Sequence, residues 1–325
     1  MADQEVTLVE AAKLMEPSRK AGVIQTYADA YQPMQVAPVI NTGGKDAYAW
    51  TVEDDLAHTS GGKRNVGSDF DATQGNVKPY ESNVKIYGGK IKVDEFITDH
   101  SPASTSFQES SQIRAMAREF TVDLFEGTGG TSLRGWKDWL ANDGAFSNQT
   151  IDAGSTASGD LLTQDMMDEL VEKITKNNPY LYMNEIFMRR LKRMSRGLAS
   201  GDQRLNYTAD QFGNWAWSYA GIPVVVLKDG KGDDILSLTE IDGAATNSNT
   251  GSIYAVDWGM EAASLFASGA GGSVAANGVP LPKLELHGDG SNYKYERMTW
   301  YVGNVPHTIR CIARIRYLLN ATSSS

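Results

Sequence analysis

The chain has a single cysteine, Cys311, among 325 residues, so an intrachain disulfide is excluded. Cys311 lies in the apolar-alternating stretch "HTIRCIARIRYLL" and reads as a small buried hydrophobe rather than a nucleophile. Cysteine this sparse fits a cytosolic origin. Histidine is also scarce. His58, His100, His287 and His307 are the only four, none is four residues from another, and no HExxH is present. No run of about 18 apolar residues occurs, so no helix is long and apolar enough to cross a membrane. The opening "MADQEVTLVE" is acidic and lacks an apolar h-region, so it does not read as a secretory signal. Positive charge is short as well: 30 bases face 40 acids, for a net charge of −10. A nucleic-acid groove needs a basic stripe. The best basic cluster, "MRRLKRMSR" at 188–196, reads as the exposed face of a helix, which excludes sequence-specific DNA binding as the first reading.

Catalytic motifs are missing too. There is no G-x-S-x-G elbow. "GTGGTSLRG", 127–135, lacks the Lys-Ser/Thr ending of a phosphate loop and follows a helix rather than a strand, so it reads as a helix stop and joint. "DGKGDD", 229–234, clusters acids but has no Glu at the twelfth position, so it reads as a hairpin turn before a calcium site. Asp54 and Asp55 lie in a polar stretch where burial cannot tune them. No nucleophile, base and orienter group together. The sequence implies no enzyme, no cofactor and no metal.

What is present is a set of extended parts. Residues 7–31 are helix-prone: Leu8, Ala11, Ala12 and Met15 form one stripe and Val23, Ile24 and Tyr27 a second, with Pro17 between them. Isolated helices below about 12–15 residues are marginal in water, so this segment reads as an arm that needs a partner surface. Residues 53–82 have few large apolar side chains and many glycines, a composition that cannot fill a core. Their flanks "AYAWTV" and "NVKIYGGKIKVDEFI" alternate, with Val84, Ile86, Ile91 and Val93 around Gly88-Gly89. The excursion therefore reads as a long hairpin that packs on another molecule.

The strongest helix follows, with Ile113, Met116, Ala117, Phe120 and Leu124 in one stripe between Ser101-Pro102 and Gly127. About 25 residues at 1.5 Å rise make a rod of roughly 37 Å. "GWKDWL" reads as a loop. "LLTQDMMDELVEKI" is a helix capped by Thr163, and a strand at Tyr180–Met183 and a helix ending near Gly197 come next. With "GIPVVV", a strand entered through proline and read as buried, these predict an α/β unit. "GSIYAVDWGMEAASLFAS" is a buried strand and turn, the C-terminal stretch is β-rich, and no repeat of 20–50 residues is evident.

Taken in order, "LVEAAKLMEPSRKAGVIQTY", the excursion closed by "YGGKIKVDEFI", "SSQIRAMAREFTVDLFEG", "LLTQDMMDELVEKI", "YLYMNEIFMRRLKRMSR", "YAGIPVVV", "IYAVDWG" and "WYVGNVPHTIRCIARIRYL" resemble the major capsid proteins of tailed bacteriophages over nearly the full length. The resemblance implies an α+β Hong Kong 97-type capsid fold: an N-terminal arm at 1–44, an extended β-hairpin loop at 45–100, a peripheral domain with a spine helix at 101–156, an α/β axial domain at 157–275, and a return to the peripheral domain at 276–325. It also implies self-assembly into pentamers and hexamers of an icosahedral head shell, formed in the host cytoplasm and carried in the virion. The expected inter-subunit contacts are Lys63, Arg64 and Phe70 in the loop and Tyr27 and Tyr31 in the arm. Expected partners are other copies, scaffold, portal and decoration proteins, and double-stranded DNA by non-specific proximity only; no membrane is involved.

Correctable shell growth needs weak individual contacts, of order −4 kcal/mol, which add up in a closed shell. Net acidity suits an inner wall that does not trap packaged DNA, provided the acids face inward. The chain reaches the arm within a few residues of Met1, where many relatives carry a cleaved scaffolding segment, so a separate scaffold or none is expected. Some relatives cross-link a loop lysine to a neighbour's asparagine, and Lys63 and Asn304 are the residue types for such a pair. A bacterial nanocompartment shell is the second reading and a soluble α/β enzyme the third.

Overall fold

The computed structural model describes residues 33, 36–55, 65–66, 76–94, 96, 100, 102–154, 159–196, 204–209, 215–229, 232–268, 273–274, 280–281, 283–288 and 293–320. The N-terminal arm expected at 7–31 lies outside them.

The described strands, in chain order, begin with β1 (Val39–Asn41), β2 (Ala47–Asp55), β3 (Asn76–Asn83), β4 (Lys85–Asp94), β5 (Thr150–Asp152) and β6 (Pro179–Met183). They continue with β7 (Leu205–Ala209), β8 (Trp215–Tyr219), β9 (Ile222–Val226), β10 (Thr250–Asp257) and β11 (Ala263–Ala267). β12 (Ser273–Val274), β13 (Pro280–Leu281), β14 (Lys283–Gly288), β15 (Tyr293–Pro306) and β16 (Ile312–Leu319) complete them. The α-helices are α1 (Pro102–Glu126), α2 (Trp136–Asn142), α3 (Gln164–Lys173) and α4 (Glu185–Arg196).

Helix α1 is the expected rod. Ile113, Met116, Ala117, Phe120 and Leu124 are all buried, so one stripe carries the packing. Position 127, just past the helix, has room only for glycine. A Cβ there would sit 2.2 Å from the Leu133 carbonyl oxygen, because the following loop folds back so that the Gly135 N–H donates to the Gly127 carbonyl at 2.9 Å. That return delivers "GWKDWL" as helix α2 and not as a loop. Trp136, Trp139 and Leu140 are buried on one side of it.

Two sheets share the work. In the five-stranded sheet the order is β1-β11-β15-β14, with β4 on the other edge of β15. β4 runs unbroken through Gly88-Gly89, which are not a turn but a close approach: a Cβ on Gly88 would meet the Met298 carbonyl oxygen at 2.2 Å. In the seven-stranded sheet the order is β5-β16-β10-β6-β9-β8-β7. Its central strands divide their side chains between two cores. Leu181, Met183, Ile253, Ala255, Ala313 and Ile315 pack with α3 and α4. Tyr182, Tyr254, Val256 and Ile312 pack with α1 and α2. Covered on both faces, β10 is buried at every position, its polar Thr250, Ser252 and Asp257 included. The α/β unit is present as expected: α3 is capped by the Thr163 hydroxyl accepting from the Met166 N–H, and β9 pairs in parallel with β6. Strand β9 is half-buried beyond Ile222, however, rather than fully buried, because it lies towards the β8-β7 side of the sheet. Of the segment expected to return to the peripheral domain, β14 and β15 lie in the five-stranded sheet and β16 in the seven-stranded one.

Candidate assembly surface

Strands β2 and β3 form the antiparallel base of the long loop, in register from Ala47 with Asn83 to Asp55 with Asn76. The returning strand is thus 76–83, inside the excursion whose composition argued against core packing; that expectation is corrected. "VKPYESN" alternates after all. Val77, Pro79, Glu81 and Asn83 are exposed, while Lys78 is half-buried and Tyr80 and Ser82 are buried. The inward residues are polar or amphipathic, and an aromatic bed receives them. Trp50 stacks on Tyr80 at 5.7 Å, and both meet Trp139, at 5.6 and 5.9 Å. Tyr48 lies on Phe266 and edge-on to His307.

Asp143, which follows α2, ties this bed together. It accepts from the Tyr80 hydroxyl at 2.8 Å and the Lys78 ammonium at 3.1 Å. Burial and the hydrogen bond to Asp143 push the Tyr80 phenol up, against the lowering contact with Lys78. The hydrogen bonds to Tyr80 and Asp143 hold the Lys78 ammonium above its usual range. Arg134 lies 3.7 Å over the Trp139 ring and bonds Asp138 at 2.7 Å. The loop therefore has a rooted base on its own subunit.

Residues 56–75 join the ladder's ends, and of these Asn65 and Val66 are described and exposed. Of the expected contacts, Lys63, Arg64, Phe70, Tyr27 and Tyr31 all lie outside the described residues. Exposed apolar side chains that sequence reading did not single out include Val77 on β3, Phe107 on α1, Tyr207 on β7, Phe96, Ile241 and Met260. Alternation in "NVKPYESN" is the signal that could have found Val77. Asn304 is wholly buried on β15 and donates to the Arg134 carbonyl at 2.9 Å, so a neighbour's lysine cannot reach it in this conformation.

Groups with chemical potential are engaged in packing. His307 pairs with Ser264 at 3.0 Å, and burial pushes its pKa down. Cys311 is buried and its thiol is pushed up to about 12, so it stays an inert hydrophobe. The described ends of "DGKGDD" close on each other: the Asp229 N–H donates to the Asp233 carbonyl and the Asp233 N–H to the Asp229 carboxylate, and Arg118 pairs with Asp229 at 3.3 Å. No group of three or more metal-ligating side chains occurs among the described residues. Glu240 is buried and meets Arg314 at 2.6 Å and Lys137 at 2.7 Å.

No family model matches the chain, and no curated protein matches it. Solved structures do. The holo-encapsulin complex of Synechococcus elongatus PCC 7942 aligns with a TM-score of 0.63 at 12% identity, covering 98% of each chain. The capsid of cyanophage A-1(L) aligns with a TM-score of 0.60 at 15% identity, over 86% of this chain and 90% of that one. The capsid of a native GTA particle aligns with a TM-score of 0.55 at 13% identity, over 98% and 96%. The chain resembles phage capsid proteins in fold, and its mixed helix-and-sheet architecture is the Hong Kong 97-like one.

Proposed function

We propose that this chain is the major capsid protein of a tailed phage, forming rings of five and six that close into an icosahedral shell around the genome. The observation that carries the reading is the near end-to-end likeness to capsid and shell subunits, which includes 98% of this chain against a GTA capsid. The rooted hairpin supports it. A nine-residue strand at about 3.4 Å per residue is roughly 30 Å long, and it pairs with β3 from Ala47 to Asp55. Ring contacts in such a shell are heterologous, joining two different patches of one surface and closing by rotation. The role needs no catalytic step, cofactor or metal. Scaffold, portal and decoration proteins are the partners this reading brings, and the virion is its location.

Negative-stain microscopy of the purified full chain tests the reading. Closed shells or rings of uniform diameter are expected. A protein that stays a monodisperse monomer at concentrations of about 1 mM, where millimolar contacts should form, would overturn it. A nanocompartment is the second reading, favoured by the TM-score of 0.63 to the encapsulin. The two separate on contents: nuclease-protected DNA in particles from the native source marks the phage shell, and an enclosed enzyme marks the nanocompartment.

A further inference from the structure

Helices α3 and α4 lie on the same face of the seven-stranded sheet and bury their apolar residues in one core. Their outer faces carry opposite charge at identical spacing. On α3 the exposed acids are Asp165, Glu169 and Glu172; on α4 the exposed bases are Arg189, Arg193 and Arg196. Each set follows i, i+4, i+7, one solvent stripe about 10 Å long at 1.5 Å rise per residue. The fourth acid of α3, Asp168, points inward, where Arg204 and the Tyr219 hydroxyl bind it. Its charge is satisfied within the subunit. The stripe charges have far less: Lys173 stands 3.5 Å from Glu169 and Glu185 stands 3.8 Å from Arg189, both exposed i,i+4 pairs of the weak kind. No ion pair among the described residues engages Asp165, Glu172, Arg193 or Arg196.

The basic face continues into a groove of roughly 500 Å³ against β7, lined by Lys192, Arg196, Tyr207 and Trp217 among others. There the Tyr207 and Trp217 rings lie 4.6 Å apart, and the Lys192 ammonium stands 4.5 Å over Trp217. Among the described residues β7 is also the terminal strand of its sheet. A concentrated basic and aromatic surface on a chain of net charge −10 is complementary to the rest of its own kind.

We infer that the basic face of α4 receives the acidic face of α3 from a second copy of this chain, a head-to-tail contact that repeats around a ring. The inference rests on the shell-subunit reading and names one of its interfaces. Equal spacing lets three opposite pairs meet in one register, Asp165 with Arg189, Glu169 with Arg193 and Glu172 with Arg196. Two different patches are used, so the contact is heterologous and propagates instead of closing a two-fold dimer.

The test is charge reversal with restoration in the full chain, read by light scattering and microscopy. D165K/E169K/E172K and R189E/R193E/R196E should each raise the protein concentration needed for assembly by about tenfold or more, since like charges then face each other. The chain carrying all six changes should assemble near the wild-type concentration. Unchanged circular dichroism of the soluble fraction shows that the subunits fold. If a triple variant unfolds, the wild-type salt series decides instead, since assembly that weakens through the Debye range supports the contact and salt-independent assembly refutes it. Wild-type shells alongside triple variants that assemble equally well would overturn the inference and leave the shell reading intact. Loss of co-purifying nucleic acid from the arginine variant, with assembly unchanged, would overturn it too and assign the face to nucleic acid. A wild type that never assembles fails the shell reading itself.

Discussion

Trp50 and Tyr80 are register partners across the β2–β3 ladder, their rings 5.7 Å apart and inclined by 24°. The pair sits where the hairpin leaves the core, with Trp139 beneath both rings. The pair thus fixes the base of the hairpin to the core of its own subunit.

Removing Trp50 should therefore unseat the hairpin. Trp50→Ala deletes a buried indole and leaves a cavity against Tyr80 and Trp139, for a loss of about 3 kcal/mol in subunit stability. Tyr80→Phe keeps the ring and removes only the hydroxyl that donates to Asp143, which retains Lys78, so about 1 kcal/mol is expected. Urea unfolding of the two variants checks the order; equal losses would mean that the ring stack is not the anchor.

Two adjacent glycines give a sharper contrast. A Cβ at Gly88 meets the Met298 carbonyl oxygen at 2.2 Å, and this atom belongs to the paired strand β15. A Cβ at Gly89 meets the end of the Gln112 side chain at 1.8 Å, and that side chain can rotate away. Gly88→Ala should cost about 3 kcal/mol and Gly89→Ala under about 1 kcal/mol. Thermal melts that rank them the other way would contradict the close approach of β4 and β15.

How far the sequence carries depends on where each element finds its partners. Helix α1 is legible because its apolar stripe is long and its stop signal, Gly127, is local. Thr163 announces α3 through a cap that spans three residues. Helix α2 is not legible, since seven residues give hardly two turns and the packing of Trp136 and Trp139 comes from elsewhere in the chain. Strand β3 is hidden for a related reason. Lys78 and Tyr80 point inward onto Asp143, Trp139 and Phe146, partners some sixty residues away in sequence. The contacts expected in the loop and arm, Lys63 and Tyr27 among them, lie outside the described residues, whereas the charge stripes of α3 and α4 are plain in the spacing but acquire meaning only when a second copy is imagined beside them.

His307 should make the hairpin base sensitive to mild acid. It touches Ser264 and the rings of Tyr48 and Trp50, and burial depresses its pKa. A base whose folded-state pKa is lowered binds its proton more readily unfolded, so stability is full above the unfolded value of about 6.5 and falls as pH drops through it towards the folded value. The thermal midpoint of the wild type should decline from pH 8 to 5.5. His307→Gln, which keeps a partner for Ser264, should flatten that decline, and parallel curves would remove His307 as its cause.

Glu240 and Arg314 supply the last prediction. The pair is buried with each side chain 4% exposed, and Ser252 bridges it, accepting from the Arg314 Nε at 2.9 Å and donating to the second carboxylate oxygen at 2.6 Å. Lys137 of α2 closes on the same carboxylate at 2.7 Å, so the cluster pins α2 to β10 and β16. Burial alone would raise the Glu240 pKa, but the charges of Arg314 and Lys137 and the hydrogen bonds from Lys137 and Ser252 outweigh it and hold the carboxyl below its usual range. Because the folded-state value is depressed, its contribution is complete above the unfolded pKa of about 4.3 and disappears as pH falls through the folded value. Glu240→Gln removes that contribution at every pH and leaves the Arg314 guanidinium buried without its counter-charge, for an expected loss of about 3 kcal/mol at pH 7. Replacing the pair together, Glu240→Leu with Arg314→Met, should recover much of it, because an apolar pair of similar volume needs no desolvation. Denaturant unfolding of Glu240→Leu, Arg314→Met and the double variant decides: if the double variant loses as much as the two single ones summed, the two groups act independently and the cluster does not hold α2 in place.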